Sequence, residues 1–255
     1  MSATDILLLA LAGFAAGGMN ALAGGGTFFS FPALLASGLP PVTANATNAV
    51  ALWPASLAGA WAARGSLRPL GRYLLPLLLA GLAGGLLGGL LLLAGGDEIF
   101  RHLIPWLLLA ATALFAASPW LSRALAARRR DAGRPPHGPL SLGAHVGVSV
   151  YGGYFGAGMG ILQLAVFSIE GHPLARANAL KNLISAVIYS VASLTFIFAG
   201  RVSWAELLVL LAGATAGGYA GGALGEKLPP RLLRALVIGV GGGMTLYYFW
   251  ATYAR

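Results

Sequence analysis

Eight stretches of the chain read as long apolar helices: 5–22, 42–63, 73–94, 102–121, 141–157, 175–199, 204–224 and 232–253. Each approaches or exceeds the ~20 residues that a helix needs to cross a bilayer. Two shorter apolar pieces, 27–37 and 160–169, are flanked by glycine and proline. Such a piece suits a re-entrant half-helix, tolerated where its open backbone faces protein or a water cavity. The pattern predicts an all-α integral membrane fold of eight transmembrane helices plus two re-entrant half-helices. The longest polar stretch, 122–139, carries Arg123, Arg128, Arg129, Arg130 and Arg134 among three prolines. It reads as a basic linker between a first transmembrane repeat (1–121) and a second (140–255).

The repeat rests on one shift of 133 residues, which superimposes the halves without a gap. It pairs Gly25 with Gly158, Gly38 with Gly171, Pro40 with Pro173, Asn45 with Asn178, Arg68 with Arg201 and Arg101 with Arg234. Glycine matches alone are weak in such a sequence, but matched Pro, Asn and Arg are not a composition effect. Four spans per copy is an even number, so the expectation is two parallel four-span repeats. A pseudo-twofold along the membrane normal would relate them.

Composition agrees: 58% of the 255 residues are hydrophobic, 9% are charged, and mean hydropathy is +0.79. A soluble domain carries about 25% charged residues, so most of this surface faces something other than water. The lipid bilayer is the expected partner. The formal charge of +9 is no nucleic-acid footprint, because the basic residues sit in short loops between apolar runs. There they act as an orientation signal. With eight spans, Arg64, Arg68, Arg72, the linker arginines, Arg201 and Arg255 share one side, and the positive-inside rule puts both termini in the cytoplasm. The absence of cysteine removes disulfides and thiolate metal sites. No cofactor and no metal site are expected.

The candidate chemistry lies at the two breaks, Ala23-Gly24-Gly25-Gly26-Thr27 and Gly156-Ala157-Gly158-Met159-Gly160. After each come a short apolar piece, a Gly-x-Pro turn and a helix that opens with polar residues. Half-helix N-termini there would present unpaired N–H groups and positive dipole ends, which favour an anion. The candidate substrate-binding residues are Gly25, Gly26, Thr27, Asn45, Asn48, Gly158, Gln163, Arg176, Asn178, Lys181 and Asn182. Each also has a structural reading. The glycines serve helix packing, Asn45 and Asn178 cap helices or bond between them, Arg176 anchors at the interface, and Lys181 pairs with Glu170. His172 reads as a turn residue or a proton group. The spaced glycines from Gly81 to Gly89 and from Gly213 to Gly225 read as small packing faces.

The duplicated sequence of glycine break, short apolar run, Gly-x-Pro and polar helix start, carried by 17–61 and 152–193, resembles the sulfite exporter TauE/SafE family. This is also called the toluene sulfonate uptake permease family. The resemblance implies secondary transport of a small sulfur-containing anion, such as sulfite, sulfoacetate or another organosulfonate, across the cytoplasmic (inner) membrane. A coupling proton and a homo-oligomer stay open. The rival readings are an anion channel, the membrane subunit of a larger transport complex, and an intramembrane enzyme. No Walker, HExxH or GxSxG motif supports the last two.

Overall fold

In the computed structural model of the chain, residues 1–22, 25–62, 64–67, 71, 74–128, 138–224 and 230–254 are described. Ala23 and Gly24 of the first break, Arg68, Arg72, residues 129–137 of the linker, Lys227 and Arg255 lie outside them. The elements are α1 (Ala3–Leu22), α2 (Thr27–Ala36), α3 (Pro41–Ala62), the single turn α4 (Arg64–Leu67), α5 (Leu74–Arg128) and α6 (Pro139–Tyr154). They continue with α7 (Met159–Ile169), α8 (Leu174–Phe198), α9 (Trp204–Leu224) and α10 (Pro230–Tyr253). Among the described residues there is no strand.

Four helical stretches, in α1, α5, α8 and α10, are long and apolar enough to cross a membrane. Their outward positions hold leucine and aromatic side chains such as Leu7, Leu11, Leu75, Leu79, Trp106 and Leu246, all exposed. In water this surface would be costly; in lipid it is solvated. The 55-residue α5 is too long for one crossing and folds back at Gly96 (φ 68°, ψ −176°). It therefore has a first arm, 74–95, and a second, 97–128. The Asp97 carboxylate accepts a hydrogen bond from the Val42 N–H at the start of α3 (2.8 Å), tying this bend to the α2–α3 turn. Because α5 stays helical to Arg128, residues 122–128 belong to it rather than to the expected linker.

Glycine sets how closely the helices approach. A side chain at Gly17 would overlap the Ala214 carbonyl, and one at Gly217 the Phe14 carbonyl, so α1 and α9 touch backbone to backbone. Gly84 and Gly88 do the same for the first arm of α5 against Val146, Ser149 and Val150 of α6. Gly81 and Gly85 turn the other side of that arm to Ile184, Val187 and Ile188 of α8. Small residues are the usual means of such approach where no hydrophobic effect drives helices together.

These contacts fix direction. Phe14 meets Gly217 while Gly18 meets Gly221, so α1 and α9 run parallel. The first arm of α5 runs parallel to α6 and to α8 by the same test. By contrast α3 and α8 are antiparallel, with Trp53 Nε1 donating to Ser190 Oγ (2.7 Å) and Asn182 Nδ2 to the Gly59 carbonyl (3.4 Å). The second arm of α5 and α10 are antiparallel as well: Trp106 stacks on Phe249, and Thr112 lies against Gly241. Helices matched by the 133-residue shift thus run in opposite directions, which excludes the parallel arrangement expected from four spans per copy.

The half-helices are the cause. Gly26 N–H donates to Asn20 Oδ1 (2.9 Å), so α2 starts beside the last turns of α1 and runs back along it. It then turns at Gly38 into α3, where Ser30 and Thr27 bond Asn48. In the other half, Gly152 lies against Met159 while Ser141 and His145 hold Glu170, so α7 returns along α6. Each half-helix reverses the chain, and five reversing segments per half is an odd number. A second expectation falls with the first. Ala3 and Tyr253 lie at one end of the bundle, and Arg128 and Pro139 at the other. The termini do not share a side with the linker, so the placement of both in the cytoplasm together with it is corrected.

Candidate substrate cavity

A cavity of about 690 Å³ opens between α1, α3, α7, α8, α9 and the second arm of α5. Both breaks reach it. Gly25 (φ 89°) and Gly158 (φ 76°) line it, in the left-handed conformation that side chains with a Cβ avoid. Thr27 opens α2 at its wall; Met159 and Gly160 open α7 there. Two helix N-termini, each a local excess of positive potential, therefore meet one space.

The cation of that space comes from α8. Lys181, Ser185 and Tyr189 recur every four residues, so one helical face presents all three to the cavity, with Asn182 beside them. A side chain at Gly160 would press on the Lys181 stem at 3.4 Å; its absence leaves room for the lysine. Lys181 makes no ion pair among the described residues, and the expected pair with Glu170 does not form. Tyr189 is a hydrogen-bond partner of Thr27, and its hydroxyl also lies close to Gly156, so it bridges the two breaks. Below this point Phe31, Phe100 and Phe155 pack against one another, with ring centroids 5.5–6.2 Å apart, on the side towards the termini. The cavity occupies the middle and the linker end.

Of the residues expected to bind substrate, Gly25, Thr27, Gly158, Lys181 and Asn182 line the cavity. Gly26, Asn48, Asn45 and Gln163 are buried next to it without lining it. Asn48 is spent on Ser30 and Thr27, and Gln163 accepts from Ser185 (2.9 Å). Asn45 donates to the Tyr154 carbonyl (2.9 Å). Asn178 is half-buried and Arg176 exposed, both away from the wall. Asn20, Ser185 and Tyr189 line the cavity and were missed. For Asn20 a signal exists: it is the lone amide in a 20-residue apolar helix, and such residues seldom face lipid.

A second polar cluster lies at the linker end, outside the cavity wall. Glu170, between α7 and α8, accepts from Ser141 and His145 of α6 (His145 Nε2 to Oε1, 2.8 Å). His172 Nε2 approaches its other oxygen at 3.5 Å. The Glu170 side chain is 6% exposed, His145 2% and His172 11%. Burial pushes the carboxyl pKa up, but the bonds from His145, His172 and Ser141 outweigh it and hold Glu170 well below the usual carboxylate range. Among the described residues no group of three or more His, Cys, Asp or Glu is placed to hold a metal ion.

Comparison with known proteins bears on this arrangement. A family model described as Sulfite exporter TauE/SafE matches residues 9–248. "Probable membrane transporter protein YfcA" of Escherichia coli K12 is 29% identical over 233 residues, covering 90% of this chain and 84% of that protein. A "Probable membrane transporter protein" of Haemophilus influenzae is 29% identical over 242 residues, 92% and 91% of the two chains. A third relative, "Probable membrane transporter protein ORF9" of a Sinorhizobium species, is 26% identical over 236 residues, with coverage of 91% and 88%. No solved structure gives a significant match.

Proposed function

This chain belongs to the sulfite exporter TauE/SafE family, and we propose that it is a secondary carrier for a small sulfur-containing anion, bound in the cavity beside Lys181. One observation carries the reading: a half-buried lysine without an ion pair among the described residues faces a cavity at which two half-helices begin. A cation inside a membrane protein is expensive unless it meets an anion, and this one has none of its own. Sulfite or an organosulfonate supplies the missing charge. Its oxygens accept from Lys181 and Asn182 and sit at the positive ends of α2 and α7. The volume, room for about twenty waters, admits an organic tail as well as a bare oxyanion.

Supporting the carrier rather than a fixed pore is the inverted relation of the halves. Eight long arms and two half-helices form two units of opposite direction, related by a pseudo-twofold in the membrane plane. Carriers built this way place substrate at the broken helices and alternate access by rocking one unit on the other. The end bearing Arg64 and Arg176, where the arginine-rich connections also join, is the cytoplasmic one, and the termini are outside. The cavity then faces the cytoplasm of the inner membrane.

Proteoliposomes holding the purified chain test the reading with labelled sulfite and sulfoacetate. Saturable uptake is expected, falling by about two orders of magnitude in Lys181→Asn. Uptake unchanged in a folded Lys181→Asn protein would remove the site. A reporter fused after Arg255 is expected outside the cytoplasm and one inserted at 132 inside it; the reverse result overturns the orientation.

A further inference from the structure

The cluster of Ser141, His145, Glu170 and His172 has no part in lining the cavity, yet it gathers three titratable side chains in one nearly closed site. Its setting is mechanical as well as electrostatic. Ser141 and His145 belong to α6, Glu170 ends α7, and His172 lies in the turn that starts α8. The same α7 opens on the cavity through Gly160, and the same α8 carries Lys181 into it. A change of charge in the cluster therefore acts where the three elements that position half of the cavity are joined. The matched positions in the first half, Leu8, Ala12, Ser37 and Leu39, hold no titratable group. The device belongs to one half only.

We propose that this cluster is a proton-binding site, and that the proton taken up there couples to movement of the anion. The proposal rests on the carrier reading. An imidazole is the side chain that ordinarily changes charge between about pH 5 and 8, and here two face one carboxylate. Glu170, held ionised by its partners, gives an arriving proton on His145 or His172 a fixed counter-charge in a site almost closed to water. The proton adds to an imidazole nitrogen and no other bond changes. The surroundings bring little competing charge. Facing Glu170 are His145 from α6 and His172 from the turn. α5, which also packs on α6 and α7, brings it no titratable partner among the described residues. On α8, Arg176 points to solvent and Lys181 lies two turns further in, at the cavity. One proton moving with a singly charged anion leaves net charge unmoved, which spares the protein the cost of carrying an unbalanced charge across the bilayer.

Only four histidines are present, His102, His137, His145 and His172, so imidazole-labelled protein in detergent can be followed by NMR from pH 5 to 8. The expected result is titration of His145 and His172 that shifts together in Glu170→Gln while His102 and His137 stay as they were. If neither cluster histidine changes protonation in that range, the proton site is wrong and the carrier reading stands. In vesicles, an imposed pH gradient should drive sulfite or sulfoacetate uptake. Glu170→Gln should lose about tenfold of that drive, the size of an ordinary coupling energy, and keep counterflow of the same anion. Gradient-driven uptake equal in Glu170→Gln and the parent overturns coupling through the cluster. Absence of any flux in the parent, counterflow included, overturns the carrier reading and the coupling with it.

Discussion

Phe31, Phe100 and Phe155 interlock at the end of the bundle that carries the termini. The residues 133 positions away are Leu164, Leu233 and Leu22, of which Leu164 is part of the cavity wall. The 133-residue shift matches these positions, so side-chain volume and charge make the difference. Phe31 stands among aromatic rings, whereas its counterpart Leu164 borders open space. The same holds for charge: the position of Asn48 in the first half is that of Lys181 in the second. Asn48 is 2% exposed and bonded to Ser30 and Thr27, whereas Lys181 faces the cavity. At these matched positions one side chain is neutral and bonded within the protein, the other charged and turned to the cavity.

Exchanging residues between the halves breaks that comparison most strongly. Asn48→Lys buries a charge among Ser30, Thr27 and apolar neighbours, and should cost about 3 kcal/mol or more; loss of the monodisperse folded peak on size exclusion checks it. Lys181→Asn, the reverse exchange, should leave that peak in place.

The charged cluster comes next, and its sign is set by Glu170. Its pKa in the folded protein lies below that of the unfolded chain. Its stabilisation is therefore complete above the ordinary glutamate value of about 4.3 and lost as pH falls towards the depressed folded value. Thermal unfolding followed from pH 7 to pH 3 should show a steeper acid loss in the parent than in Glu170→Gln. The neutral variant starts about 1.5–3 kcal/mol lower at pH 7, having lost hydrogen bonds to a charged acceptor.

At the two ends, Phe155→Leu should destabilise by about 1 kcal/mol, because its edge-on contacts with Phe31 and Phe100 are worth that much beyond burial. Leu164→Phe should instead keep stability within about 1.5 kcal/mol and narrow the cavity; sulfite uptake that falls while the melting point holds would show the wall at work. The smallest effect is expected at Asn20→Ala. It removes the hydrogen bond to the Gly26 amide and should cost about 0.6 kcal/mol, near the mean for polar bonds between membrane helices. Chemical unfolding in mixed micelles resolves it.

Much of the site was legible because intramembrane polarity is rare. Lys181 stands out in any apolar run, and Gly25 and Gly158 mark breaks wherever a helix of useful length is interrupted twice at one spacing. Asn45, Asn48 and Asn178 look equivalent to Lys181 and Asn182 in a sequence, since all open a helix after Gly-x-Pro. Which of them reaches the cavity depends on the rotation of α3 and α8. Rotation is hard to read there because polar residues stand on more than one side of each helix start, so the pattern does not say which side meets the cavity.

The sequence by itself determined that this is a membrane protein of long apolar helices, broken at two matched places, with its charge gathered in the connections and at Lys181. Composition and spacing suffice for that, since they report how much apolar surface must leave water and where a helix cannot continue. The tertiary structure alone decided that the halves run in opposite directions, that the termini and the linker lie at opposite ends, and that Glu170 bonds histidine rather than Lys181. The physical reason is the half-helix. Ten or eleven apolar residues are too few to count as a crossing, yet with the extended residues of the break and the turn they carry the chain back along its partner. One uncounted reversal in each half inverts everything that follows it, and only the contacts between helices show that the reversal took place.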